Sequence, residues 1–123
     1  MVKRITYESF ADIILNDDFE FSLACGLPEK YENEGLKFFA THDEKCVCAV
    51  RVVPEEAHIM HIESLLKGNG REMLEHIITT YFEEGERDVT LIAFGDEKLI
   101  DYYRTVGFEV TEEGSKMMRY VDD

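Results

Sequence analysis

The chain has 123 residues, 45% of them hydrophobic, with 27 acidic side chains against 13 basic ones and a net charge of −14. That length suits one domain, residues 1–123, around one core, and the hydrophobic share excludes a disordered chain. The charge argues against naked nucleic acid, whose phosphates need a basic surface, and favours cationic partners: amines, polyamines or a basic protein.

No apolar run approaches bilayer length, and the opening MVKRITYESF lacks the apolar centre of a signal peptide, so no membrane is expected. The cysteines are Cys25, Cys46 and Cys48. An odd count without C-x-x-C spacing argues against a disulfide framework or a zinc site, and a cytoplasmic, reducing setting is the expectation. Cys46 and Cys48, two apart in CVCAV, share a strand face and read as buried thiols.

In chain order, residues 3–6 read as a short strand. A helical pattern follows from Tyr7 through Ile13, Ile14 and Leu15, ended by Asn16-Asp17-Asp18. Residues 19–34 read as one or two short helices punctuated by Gly26 and Pro28. Residues 36–41 (LKFFAT) and 46–53 (CVCAVRVV) are β-rich runs about the polar turn His42-Asp43-Glu44-Lys45. Pro54-Glu55-Glu56 turns the chain into a third strand over 57–66, which makes an antiparallel meander. A helix over 69–84 carries an apolar face of Met73, Leu74, Ile77, Ile78, Tyr81 and Phe82. Gly85 stops it, and the buried-strand run 88–94 (DVTLIAF) follows. A strand–helix–strand crossover implies parallel pairing of that strand with 57–66. A second helix starts at Gly95-Asp96, with Asp96 as N-cap. Its stripe is Leu99, Ile100, Tyr103 and Val106, and Gly107 ends it. Residues 108–111 and 116–121 form a last hairpin around Glu112-Glu113-Gly114-Ser115.

The stretch at the centre of this order is Lys67-Gly68-Asn69-Gly70, where a strand feeds through two glycines into a helix. The first turn of a helix has unpaired N–H groups and a partial positive charge. Glycine lets a phosphate approach that backbone closely. Taken with DVTLIAF and DEKLIDYYRTVGFEV downstream, the stretch resembles the GNAT superfamily of acyl-CoA-dependent N-acetyltransferases, over residues 36–121. That resemblance rests on two motifs. Gly68 and Gly70 fit the two small positions of the pyrophosphate loop Gln/Arg-x-x-Gly-x-Gly/Ala. Leu65 stands at the Gln/Arg position and Leu66 where glycine is common. Tyr103-Arg104-Thr105-Val106-Gly107-Phe108 fits Tyr-x-x-x-Gly-Phe without a gap. Asp96 lies seven residues earlier, where Asn is frequent, and Leu99 where Ala is frequent.

The resemblance implies an α/β (α+β) fold with a mixed, mostly antiparallel central sheet and a parallel strand–helix–strand core that binds acyl-CoA. It implies acetyl-CoA as co-substrate and direct transfer of the acetyl group to a primary amine of a small molecule or of a protein lysine or N-terminus; the residues themselves offer no metal-ligand constellation, so no metal is expected. It also implies strands able to pair between subunits in a homodimer, and a V-shaped splay between 57–66 and 88–94 that receives the acyl-CoA arm. The cofactor set would be Leu65, Leu66, Lys67, Gly68, Asn69, Gly70, Arg71 and Asp96, with Lys67 and Arg71 supplying charge that Leu65 does not. Tyr103 would protonate the departing thiolate. At helical spacing it also reads as a core aromatic, and its neighbour Tyr102 reads as packing or surface.

Transfer to an amine needs the neutral nitrogen, about 0.04% of a lysine-like amine at pH 7. The candidate bases are His61 and Glu63, two apart on one strand face opposite Ile62. Both also read as polar residues on a half-exposed sheet face, and His58 and His76 are weaker candidates. Glu55, His58, His61 and Glu63 lack the H-E-x-x-H spacing of a helical metal site. Asp12, Asp17, Asp18, Glu20, Glu112 and Glu113 fall in segments that shape the acceptor site in this family, and their density suits a cationic acceptor. Two other readings stand beside the enzyme: a catalytically inactive, GNAT-shaped acidic inhibitor that binds a basic partner, and an unrelated α/β domain in which the glycines only make a turn.

Overall fold

Thr6 opens the first helix by accepting a hydrogen bond from the Ser9 amide at 3.1 Å, the usual work of an N-cap hydroxyl. In the computed structural model the described residues are 1–16, 19, 35–93 and 97–121. The expected helices of 19–34 (Phe19 apart), Cys25, Asp17, Asp18, Glu20 and Asp96 lie outside them. The elements are β1 (Val2–Ile5), α1 (Tyr7–Leu15), β2 (Leu36–Thr41), β3 (Cys46–Val53), β4 (Glu56–Ser64), α2 (Asn69–Ile77), β5 (Asp88–Ile92), α3 (Glu97–Val106), β6 (Phe108–Val110) and β7 (Met117–Tyr120).

The strands form one sheet in the order β1-β2-β3-β4-β5-β7-β6. The β2–β3–β4 meander is antiparallel, as its short polar turns require. The crossover through α2 makes β4 and β5 parallel, with Glu56 opposite Asp88 and Ile59 opposite Leu91. Strand β7 lies between β5 and β6, so β6 becomes the sheet edge.

Alternation along the strands divides the core in two. On one face Cys46, Cys48, Val50, Ala57, Ile59, Val89 and Leu91 pack with Met73, Leu74 and Ile77 of α2 and with Tyr103 of α3. On the other face Leu36, Phe38, Ala40, Val47 and Ala49 pack under Phe10 and Ile14 of α1. The two thiols share the first face, as their spacing implies. Burial pushes Cys46 up to about 12 and Cys48 well above its ordinary value, so both stay protonated.

Three boundaries differ from expectation by two residues or more, each for a local reason. The third strand ends at Ser64 rather than 66. There the Leu65 amide turns back to the Lys45 carbonyl (2.7 Å) and the Ser64 hydroxyl donates to the Leu66 carbonyl (2.6 Å). The helix expected over 69–84 widens into a π-helical turn over Ile78–Glu83, closed by the Glu84 amide donating to the Thr79 carbonyl. That turn leaves Tyr81 edge-on to Phe39 and Phe82 edge-on to Tyr120. Strand β5 stops at Ile92, and the Ala93 amide donates to the Lys116 carbonyl.

Strand β4 also carries a β-bulge. His61 lies opposite Ala49 but Ile59 lies opposite Val50, so Met60 is the extra residue. The bulge explains why Ile59 and Ile62, three apart, both meet the α2–α3 side, where Ile62 lies opposite Cys48.

Candidate active site

The loop after β4 carries the first part of the site. Gly68 is the N-cap of α2 at φ +96°, and no side chain caps this helix. A left-handed φ of that size is strained for any residue with a Cβ. The Asn69 and Glu72 amides are used within the turn, donating to the Leu66 and Gly68 carbonyls. Those of Gly68, Gly70 and Arg71 have no backbone partner among the described residues. They are the unsatisfied donors of a helix start, where the macrodipole favours an anion. Space is there too: a Cβ built on Gly68 would meet nothing within 4 Å.

A cleft of about 340 Å³ begins at these amides. It is lined by Leu65, Leu66, Lys67, Gly68 and Gly70 at one end and by Tyr102 and Tyr103 at the other. Its wall is the open edge of β4. Pairing between β4 and β5 stops at Ile59–Leu91, so residues 60–64 have no β5 partner among the described residues. A second gap of about 190 Å³ continues through the sheet there, lined by Met60, His61, Ile92, Leu99 and again Tyr103. The two strands part here, and the two spaces beside them share Ile62 and Tyr103 in their walls.

Tyr103 borders both. It is 7% exposed, and its ring stands edge-on to Phe108 at 6.0 Å. The hydroxyl has no hydrogen-bond partner among the described residues. Burial pushes its pKa up to about 12, with nearby Cys48 acting in the same direction. The ring is buried, but its hydroxyl is not sealed off from the spaces it borders, so it can meet a ligand there. Tyr102, which sequence reasoning left to packing or surface, comes within 3.6 Å of the Cβ position of Gly70 through its hydroxyl. Helical numbering alone does not reveal this, because the contact joins two helices.

His61 and Glu63 project from the opposite sheet face, the one α1 covers, since they lie opposite Ala49 and Val47. The His61 Nε2 lies 3.5 Å from the Glu63 Oε1. Burial lowers the His61 pKa and the Glu63 carboxylate partly opposes it, leaving the imidazole neutral at pH 7. His61 therefore borders the gap from one side of the sheet and Tyr103 from the other.

Other expected residues are placed differently. Asn69 is tied to Asp43, its side-chain amide donating to both carboxylate oxygens at 3.1 and 3.0 Å. Arg71 reaches Glu75 at 3.0 Å in an exposed i,i+4 pair, which is weak enough for an anion to displace. His58 bonds Thr90 at 2.7 Å. Glu113 lines a separate space beside α3, away from His61. Among the described residues no group of His, Cys, Asp or Glu could hold a metal, and no helix is long and apolar enough to cross a membrane.

Asp43 reads in the sequence only as part of a polar turn, and its tie to Asn69 is what that reading missed. Besides Asn69 it accepts from the Thr41 hydroxyl at 2.7 Å and the Lys45 amide at 3.0 Å. These bonds, Thr41 first, hold its pKa down to about 2. The β2–β3 turn thus braces the first residue of α2. Asp43→Ala should destabilise the fold by about 1–2 kcal/mol, the worth of a few exposed charge-assisted bonds. A depressed carboxylate stabilises above its unfolded pKa and loses that contribution as pH falls through the folded value. The wild-type advantage over Asp43→Ala in chemical denaturation should therefore be full at pH 5 and shrink between about pH 4 and 2.

No protein-family model matches the sequence. Solved structures do match it. An Arabidopsis thaliana protein in complex with the bisubstrate analogue CoA-Ac-MVNAL superposes with a TM-score of 0.68 at 15% identity, covering 97% of this chain and 95% of that one. The N-acetyltransferase PseH of Campylobacter jejuni gives 0.64 at 17%, over 97% and 94%. This is the GNAT fold. A spermidine N-acetyltransferase SpeG chimera from Vibrio cholerae shares it at a TM-score of 0.64 and 10% identity, over 97% of this chain and 92% of that one. At such identities the likeness is one of fold. The GNAT arrangement accounts for the mostly antiparallel sheet with one parallel pair and for the open edge of β4 beside that pair.

Proposed function

We propose that this protein is an N-acetyltransferase that moves an acetyl group from acetyl-CoA directly to a primary amine. The observation that carries the reading is the continuous cleft from the unpartnered amides at the start of α2, along the open edge of β4, to Tyr103. Two fold neighbours support it by what their names say: one was solved with a CoA–acetyl–peptide analogue, and one is a spermidine N-acetyltransferase.

The residues present fit the co-substrate. The Gly68, Gly70 and Arg71 amides would take the pyrophosphate, with Lys67 at the cleft wall supplying the charge that Leu65 lacks. Leu65 and Leu66 offer apolar surface beside it. When bound, acetyl-CoA supplies an activated acetyl thioester. The rest falls to the chain's own residues. The open backbone of residues 60–64 offers N–H groups to the carbonyl oxygen as it gains charge. His61, neutral at pH 7, accepts the amine proton from the α1 side of the sheet.

Tyr103 donates from the other side to the departing sulfur. With its pKa near 12 against about 8.5 for a thiol, full proton transfer is uphill by about 5 kcal/mol. The phenol therefore serves as a hydrogen-bond donor to the leaving thiolate rather than as its proton source.

Acetyl-CoA in large excess should raise Tm, by about 2.7 kcal/mol of stability at 100 times Kd, and mass spectrometry should find acetylated amine. Absence of both effects at millimolar acetyl-CoA would sink the enzyme and leave a GNAT-shaped binding protein. The pH profile tests the base. With His61 lowered below 6.5, the acidic limb of kcat/KM should fall below pH 6.5. His61→Gln should remove that limb. Glu63→Gln should move it to lower pH, because the carboxylate that favours imidazolium is gone. A limb unchanged in both variants would remove His61 from the reaction.

A further inference from the structure

The sheet face that His61 shares continues beyond α1, and its register orders the side chains an acceptor would meet. Nearest the gap are Met60, Ile92 and Met117, with Ile92 paired to Met117 and Met60 supplied by the bulge. Met60 is 43% and Ile92 39% exposed, unusual for large apolar residues on one patch. One same-face step along the strands, about 7 Å, lies a second row in register: Arg51 on β3, His58 on β4, Thr90 on β5 and Arg119 on β7. One step further are Val53, Glu56 and Asp88. A groove of about 420 Å³ runs over this surface, lined by Arg51, Val53, Glu56, His58, Met60 and Met117. It shares Met60 with the gap that Tyr103 borders.

Arg51 and Arg119 are exposed, and neither bonds to a carboxylate among the described residues, in a chain with 27 acidic side chains. The surroundings of His58 favour its neutral form: burial lowers its pKa, and Thr90 holds its Nδ1. The charge in the row is thus that of the arginines, and Arg51 is the one that lines the groove.

We propose that the acceptor is a zwitterion: a primary amine, a short apolar spacer and a carboxylate, with the carboxylate on Arg51. This rests on the acyl-transfer reading above and names its substrate class. The flexible thioethers of Met60 and Met117 pack the spacer, and the guanidinium pairs with the anion in the bidentate manner arginine permits. The net charge of −14 repels a free anion over long range but not a molecule whose charges cancel. A diamine of the same length would put its second ammonium against Arg51. A cationic acceptor is what the total charge favours, and the local charge of the groove adds the carboxylate to it. The acidic row at Glu56 and Asp88 closes the far end against a longer anionic chain.

The test compares 6-aminohexanoate, hexylamine and 1,6-diaminohexane with acetyl-CoA at constant ionic strength. Wild type should favour 6-aminohexanoate in kcat/KM by about tenfold, the worth of one charge-assisted pair. Arg51→Met should erase that ratio and Arg51→Lys should restore part of it. Preference for the diamine, or a ratio that Arg51→Met leaves intact, overturns the proposal while acyl transfer stands. If no amine is acetylated, the methyl resonances of Met60 and Met117 in the CoA-saturated protein decide. Shifts with 6-aminohexanoate that vanish in Arg51→Met uphold the groove and sink the chemistry, whereas no shifts sink both.

Discussion

Tyr103→Phe is expected to lower kcat by about 10²-fold or more, while acetyl-CoA still raises Tm. The substitution removes one oxygen and little else. Its ring contact with Phe108 is retained, and the lost hydroxyl satisfied no partner among the described residues. Removing such a group from a buried site is close to neutral for stability. The loop amides that would hold the pyrophosphate lie at the other end of the cleft and are untouched. What disappears is the hydrogen-bond donor at the junction of the two spaces, and removing one donor aimed at developing charge typically costs about 10²–10³ in rate. Steady-state kinetics beside a thermal shift separates the cases. A rate within threefold of wild type would assign Tyr103 to packing. Tyr102→Phe is the companion measurement: its hydroxyl lies by Gly70, so it should raise KM for acetyl-CoA more than it lowers kcat.

Gly107→Ala should lose about 2–4 kcal/mol of stability, a fall in Tm on the order of 10 °C for a domain of this size. Gly107 sits at φ +117°, where a Cβ is strained. The new carbon would also lie 2.7 Å from Cε1 and 3.2 Å from Cδ1 of Tyr120. That ring cannot step aside freely, because Phe82 and Phe108 stand edge-on to it at 5.0 and 5.8 Å. Strain and overpacking at one site each cost about 1–3 kcal/mol. The glycine of Tyr-x-x-x-Gly-Phe thus has a structural reason: it lets the chain leave α3 and lay β6 against β7, carrying Phe108 under the Tyr103 ring. A Tm within 3 °C of wild type would show that the aromatic cluster relaxes around the methyl group.

Much of the fold was legible because its signals are local. The runs at 36–41 and 46–53 alternate or are apolar throughout and flank a four-residue polar turn, so β2 and β3 fall where the pattern puts them. Crossover through a helix forced β4 and β5 to be parallel. Even the bulge left a trace: Ala57 and Ile59 keep a period of two, and Ile62 breaks it by one residue. Reading through that break took the strand on to residue 66. The π-helical turn left no such trace, because the apolar positions 77, 78, 81 and 82 suit either winding.

The site was legible only in part. Gly68 and Gly70 announce a loop that can approach a ligand, and Tyr103 stands at a fixed distance from its glycine. Neither says which side of the sheet a residue faces relative to another element. That His61 and Tyr103 border one gap from opposite faces depends on β4 parting from β5 after Ile59. That Asp43 braces Asn69 depends on a turn and a helix 26 residues apart. Arg51 reads as an exposed charge in an apolar run, and its company with His58, Thr90 and Arg119 exists only in register.

The sequence by itself determined the element order, the strand–helix–strand crossover and the glycine-opened helix, because backbone propensity, periodicity and turn chemistry act within a few residues. Tertiary structure alone decided the open edge of β4, the two-sided approach to it and the ordered apolar, cationic and acidic rows beside it. Those arise from pairings between distant strands, and a one-residue change of register would turn each of those side chains to the other face.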